Sequence, residues 1–111
     1  MAIEALHDLS RPVEVLEAMR GMLAPGGTAI IADEKTADTF TAPADLTERL
    51  FYGFSVTCCL PAAMTDQPSA GTGTVMRADT LRKYGEAAGF RKAEILDDLE
   101  HDALRFYRLS P

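Results

Sequence analysis

The residues able to do chemistry in this 111-residue chain fall into a few short groups. Leu6-His7-Asp8 sets beside a carboxylate an imidazole that can take or give a proton near neutral pH. Asp33-Glu34 puts two carboxylates directly after the apolar run Thr28-Ala29-Ile30-Ile31-Ala32, at a strand's carboxyl end, where α/β folds place their sites; Asp33 there is a candidate substrate-binding residue. Each group also has a plainer use. His7 can decorate a strand end, Asp8 can cap the helix that follows, and Asp33-Glu34 can be a solvated strand end. Cys58-Cys59 are too close for an ordinary intramolecular disulfide, too few for a metal site and without a basic sequence neighbour to activate a thiol, so they read as small buried hydrophobes. Gly71-Thr72-Gly73-Thr74 is superficially like a phosphate-binding loop, but it follows no strand and lacks the glycine-lysine pair, which leaves a flexible loop. His101 lies in an acidic turn with no second ligand in view, and no metal site is expected.

The elements that must position these groups can be read from period and punctuation. Ser10 is placed to cap a helix with Pro12 in its first turn; Val15/Leu16, Met19 and Met22/Leu23 recur at helical spacing up to the breaker Pro25-Gly26-Gly27. Thr28 to Ala32, apolar without alternation, predicts a parallel strand buried on both faces. Lys35 to Pro43 is loop-like, and Leu46, Leu50, Phe54 and Cys58, four residues apart, predict a second amphipathic helix. Leu60 to Val75, rich in breakers, reads as a mobile loop. A third helix uses Leu81, Tyr84 and Ala88 and stops at Gly89, with Phe90 placed to seal its end. Lys92 to Leu96 and Leu104 to Leu109 predict a closing antiparallel pair. The fold class is therefore α/β with an antiparallel ending, in one domain spanning 1–111.

Bulk properties fit that picture. With 47% hydrophobic and 25% charged residues the composition is that of an ordinary globular domain. A net charge of −6 with only 11 Lys and Arg argues against nucleic-acid binding. No run approaches the roughly 18 apolar residues of a membrane span, and Met1 to Leu6 is too short and too soon acidic for a secretory signal. A reducing cytoplasm is the expected compartment, with no membrane partner.

Together, Glu4-Ala5-Leu6-His7-Asp8, the helix ending Met22-Leu23-Ala24-Pro25-Gly26-Gly27, the strand ending Asp33-Glu34, Ala87-Ala88-Gly89-Phe90 and the closing Leu104-Arg105-Phe106-Tyr107 resemble the second half of class I S-adenosylmethionine-dependent methyltransferases. The likeness covers essentially the whole chain, is strongest in the Pro25-Gly26-Gly27 turn, and within that family is greatest to the small-molecule O-methyltransferases. It implies a partial Rossmann-like methyltransferase domain. Met1-Ala2-Ile3 would be the end of strand four, Thr28 to Ala32 strand five, and the tail pair strands six and seventh. Strands one to three would be missing, and with them the N-terminal cofactor-binding half: its Gly-rich loop and its ribose-holding acid.

The resemblance also implies roles. His7 would be the general base that takes the acceptor's hydroxyl proton, which its ordinary pKa of ~6.5 suits, and Asp8 could orient it. Glu4 and Ala5 would lie near the cofactor's methionine end. Phe51, Tyr52, Phe54 and Cys58 would sit on the helix that walls off the acceptor, where Phe51 and Tyr52 suit a flat organic molecule and Phe54 packs the core. S-adenosylmethionine is the cofactor of the complete domain; for the chain alone there need be none. Two functions follow. One is a methyltransferase half, acting on a small-molecule acceptor once the missing half is supplied. The other is a non-catalytic module that forms a homodimer, because a central strand with an exposed edge seeks a partner.

Overall fold

The turn Ala24-Pro25-Gly26-Gly27 sets where the central strand begins. Proline fixes one backbone angle, Gly26 takes φ +76°, and the Gly27 N–H donates to the Ala24 carbonyl at 2.8 Å, the pattern of a type II turn. The computed structural model describes all residues, 1–111. In chain order it contains β1 (Ala2–Ile3), a 3₁₀ turn (Leu6–Asp8), α1 (Pro12–Gly21), β2 (Ala29–Glu34), α2 (Leu46–Phe54), a wide π-type turn (Ser55–Cys59), α3 (Leu60–Ala63), α4 (Ala78–Ala87), β3 (Lys92–Ile95) and β4 (Leu104–Ser110).

The four strands form one mixed sheet in the order β1-β2-β4-β3. β1 runs parallel to β2, with Ala2 opposite Ile31 and Ile3 opposite Ala32. β4 is antiparallel to both β2 and β3, with Ile31 opposite Tyr107 and Ala93 opposite Leu109. The α/β class and the antiparallel closing pair are as expected. β2 reaches two residues further than expected, so Asp33 and Glu34 belong to the strand.

One face of the sheet carries the core. Ala29, Ile31, Tyr107 and Leu109 meet Leu16 of α1, Leu81 and Ala88 of α4, and Leu6, Met76 and Phe90 from the connections. On the other face of β2 Ala32 is fully buried, Glu34 buried and Ile30 half-buried, so the expectation of burial on both faces holds for most of this strand, while β4 there leaves Phe106 half-buried and Arg108 exposed. α4 packs close to the sheet through Gly85, where a Cβ would come within 3.0 Å of Leu109. It ends as expected. Gly89 (φ +84°) donates to Glu86, Phe90 donates to Gly85, and the Phe90 side chain is buried.

Three expectations need correction. Ser10 does not cap α1; its hydroxyl donates to the Ala63 carbonyl at 2.6 Å, and Pro12 starts the helix where an N–H would be unpaired anyway. The stripe Leu46, Leu50, Phe54 of α2 is 79%, 54% and 52% exposed, and the helix instead buries Glu48 and Phe51. Finally, residues 60–75 are no mobile loop. Helix continues through α3, after which Gly73, Thr74 and Met76 are buried. Ser69 bonds to Ala63, Thr72 to the Tyr84 hydroxyl, and the Thr74 N–H to Ser55. No helix is long and apolar enough to cross a membrane.

Candidate functional site

The site forms at the carboxyl ends of the two parallel strands. β1 ends in Glu4, whose φ of 46° turns the chain while its N–H still bonds the Ala32 carbonyl at 2.9 Å. The 3₁₀ turn follows. Leu6 anchors it in the core and the next residue, His7, is carried inside to 2% exposure.

There the imidazole meets the end of β2. His7 Nδ1 lies 2.7 Å from Asp33 Oδ1 and 3.1 Å from Glu34 Oε2. Nδ1 has one hydrogen to give, and Asp33 takes it; Glu34 Oε2 stays a charged neighbour with no hydrogen bond of its own, as does Asp33 Oδ2. Asp33 Oδ1 also accepts the Glu34 N–H at 3.1 Å. Burial alone would lower the His7 pKa, but the bond to Asp33 and the Glu34 carboxylate outweigh it and push it up. Burial, with the Glu34 carboxylate beside it, pushes Asp33 up against the pull of His7. Glu34 is also raised by burial, yet His7 more than reverses this and holds it down.

The other ring nitrogen faces different company. His7 Nε2 lies 3.3 Å from Asp8 Oδ1. A His7 ring nitrogen, an Asp8 carboxylate oxygen and Cys59 Sγ all lie within 4.8 Å of one another, the thiol being delivered by the wide turn Ser55–Cys59. Beside Asp8 a cleft of about 540 Å³ opens between Ser10, Arg11 and Val15 on one side and Asp66 and Gln67 on the other.

No protein-family model and no curated protein matches the chain. The geometry must therefore carry the functional reading. Of the residues singled out in the sequence, His7, Asp8 and Asp33 come together, with Glu4 exposed and Ala5 half-buried just before them. Asp33 is turned inward, 1% exposed and bonded to His7, so it supports the imidazole where a substrate contact was expected. Asp33-Glu34 are not a solvated strand end. Phe51 is 8% exposed and packs inward, which takes it off any open acceptor wall. Tyr52 stays at the surface, edge-on to Phe40, its hydroxyl accepting from Arg77 at 3.1 Å. Phe54, expected in the core, is exposed. Cys58 is exposed and Cys59 half-buried, so neither is the buried hydrophobe expected.

Two residues gain roles that sequence reasoning missed. Arg77, just before α4, pairs with buried Glu48 at 2.7 Å and donates to the Ala37 carbonyl, tying α2 and the 35–43 loop to α4. Cys59 meets His7 only through the fold, and no local pattern announces the pair. His101 accepts the N–H groups of Ala103 and Leu104 at 3.1 and 3.0 Å, a turn-capping use. With its pKa pushed up against burial to about 11 by Asp33 and Glu34, well above the ordinary value expected from sequence, the ring holds both protons at neutral pH: Nδ1–H goes to Asp33 and Nε2–H faces Asp8 at 3.3 Å, so a lone pair appears on Nε2 only once that proton leaves.

Proposed function

We propose that this chain is the second half of an S-adenosylmethionine-dependent methyltransferase domain acting on a small-molecule acceptor, with His7 as its base. The observation that carries the reading is the buried His7–Asp33 pair at the carboxyl edge of β1 and β2. A parallel pair followed by an antiparallel closing pair is also the sheet that the resemblance implies.

The residues present fit the cofactor at one end only. Glu4 offers an exposed carboxylate at the tip of β1, suited to the amino group of the methionine moiety, with Ala5 beside it. No glycine-rich turn leads from a strand into a helix: Gly26-Gly27 precede β2, and Gly73 packs against Ser55. The glycine-rich part of the pocket has to come from residues outside these 111. When bound, the cofactor supplies a methyl electrophile. The chain's part is proton handling. His7 Nε2 first gives up its proton, to Asp8 or to solvent, and then takes the acceptor's hydroxyl proton as the oxygen attacks; Asp33 holds the ring in the required tautomer, and Asp33 and Glu34 stabilise the imidazolium that results. Isothermal titration of the purified chain with S-adenosylhomocysteine tests the reading. Micromolar binding supports it; no heat up to millimolar ligand, with the chain shown folded, overturns it for the chain by itself.

A second reading has its own observation. The exposed stripe Leu46, Leu50, Phe54 fits a module that pairs with another copy of itself. Light scattering behind size exclusion decides: a dimer supports it, and a clean monomer at working concentration removes it.

A further inference from the structure

We propose that His7 Nε2, Asp8 Oδ1 and Cys59 Sγ form a binding site for one divalent cation of the zinc class. Nε2 already lies 3.3 Å from Asp8 Oδ1, and a ligand atom from each of the three residues lies within 4.8 Å of the others, so small side-chain rotations bring them onto one ion at bond lengths of about 2.0–2.3 Å. One nitrogen, one sulfur and one oxygen suit zinc or cobalt, whereas calcium and magnesium take oxygen ligands.

The surroundings supply what a metal-binding histidine needs. Its far nitrogen donates to a buried carboxylate, Asp33, at 2.7 Å, with Glu34 alongside; such outer partners fix the tautomer and raise the basicity of the ligating nitrogen. The Asp8 side chain is 42% exposed and lines the 540 Å³ cleft, which gives an ion a way in. Cys59 is brought to this point by a π-type turn, a rare feature frequent at functional sites. Three protein ligands leave the fourth tetrahedral position open. Binding displaces the Cys59 thiol proton and any proton on Nε2 to solvent. The ion also takes the lone pair assigned above to the base, so zinc would switch that activity off. This regulatory consequence rests on the methyltransferase reading; the binding itself does not.

The test uses the full chain with Zn²⁺ against a chromophoric chelator and Co²⁺ by absorption. One ion per chain is expected, with a thiolate-to-cobalt charge-transfer band. Cys59→Ser should abolish that band and weaken Zn²⁺ binding at least tenfold, Asp8→Asn should weaken binding and keep the band, and Cys58→Ser should change neither. Circular dichroism establishes that each variant is folded; the thiol is half-buried, so the serine is well tolerated. Failure of either ion to bind, a charge-transfer band that survives in Cys59→Ser, or an equal loss in Cys58→Ser overturns the proposal. Zinc binding without S-adenosylhomocysteine binding leaves this proposal standing and removes only cofactor binding by the chain by itself, and the converse sinks only this one.

Discussion

At the scale of single residues, burial decides which side chains matter. Asp33 and His7 are paired where water cannot replace either, so Asp33→Ala should cost about 1–3 kcal/mol, less than a fully orphaned charge because Glu34 Oε2, 3.1 Å from Nδ1, can take over part of the bond. Asp8→Ala, whose carboxylate is 42% exposed, should cost under about 1 kcal/mol. Urea unfolding of the two variants makes the comparison; equal losses would mean that the Asp33 pair is not the anchor of the site. Thr74 gives a prediction of opposite sign. Its hydroxyl is buried with no partner, so Thr74→Val should leave stability unchanged or raise it by up to about 1 kcal/mol, and a loss above that size would reveal an unrecognised bond. His7 was legible in the sequence as an imidazole beside a carboxylate ahead of a helix. The inward turn of Asp33 was not, because a residue at a strand's end has no further alternation to show which face it takes. The Cys59 contact lay beyond any local signal, since it depends on how α2 continues into α3.

Elements show where local pattern and tertiary contact part company. The four-residue spacing of Leu46, Leu50 and Phe54 located α2 correctly and oriented it wrongly. The other face wins because Glu48 finds Arg77 at 2.7 Å, Asp45 caps the helix by accepting the Glu48 N–H at 2.8 Å, and Phe51 packs beneath. A buried carboxylate looks polar in sequence until its cation, almost thirty residues on, is in place. Two substitutions separate the faces: Phe51→Ala should cost about 3–5 kcal/mol, while Leu50→Lys should shift stability by less than about 0.5 kcal/mol. Thermal or chemical unfolding that reversed this order would restore the face read from sequence. The segment after α3 was misread for a related reason. Its glycines and prolines look like loop punctuation, yet Gly73 takes φ +71° and a Cβ there would overlap Ser55 Oγ. Gly73→Ala should accordingly destabilise by at least about 1–2 kcal/mol from backbone strain alone, whereas a mobile loop would accept it. α1, α4 with its Gly89 end, and the closing strand pair were legible because pattern, punctuation and packing agree in each.

For the molecule as a whole, shape and charge bear on what it meets. The chain is a slab of 44 × 36 × 18 Å, and the short axis has room for the sheet and one helical layer of about 10 Å. The second sheet face is therefore unevenly covered: Ala32 and Glu34 are buried, Ile30 and Phe106 half-buried and Arg108 exposed. The longest exposed apolar stripe is on α2, while the two sheet edges belong to β1, only two residues long, and to β3, four residues long and carrying Lys92 and Glu94, both poor templates for strand pairing. Self-association should then proceed through α2 rather than through an edge of the central strand, which β1 and β4 flank. A net charge of −6 on each copy opposes that contact, and salt screens such repulsion over about 10 Å at 0.1 M. The apparent mass by light scattering should thus rise with protein concentration and rise further with ionic strength, the opposite of an association held by charge pairs. Leu50→Lys combined with Phe54→Lys should return the chain to a monomer at every salt concentration while leaving its circular dichroism unchanged. Association that weakened as salt was added would place the contact on charged surface instead, and association that persisted in the double variant would move it off α2 altogether.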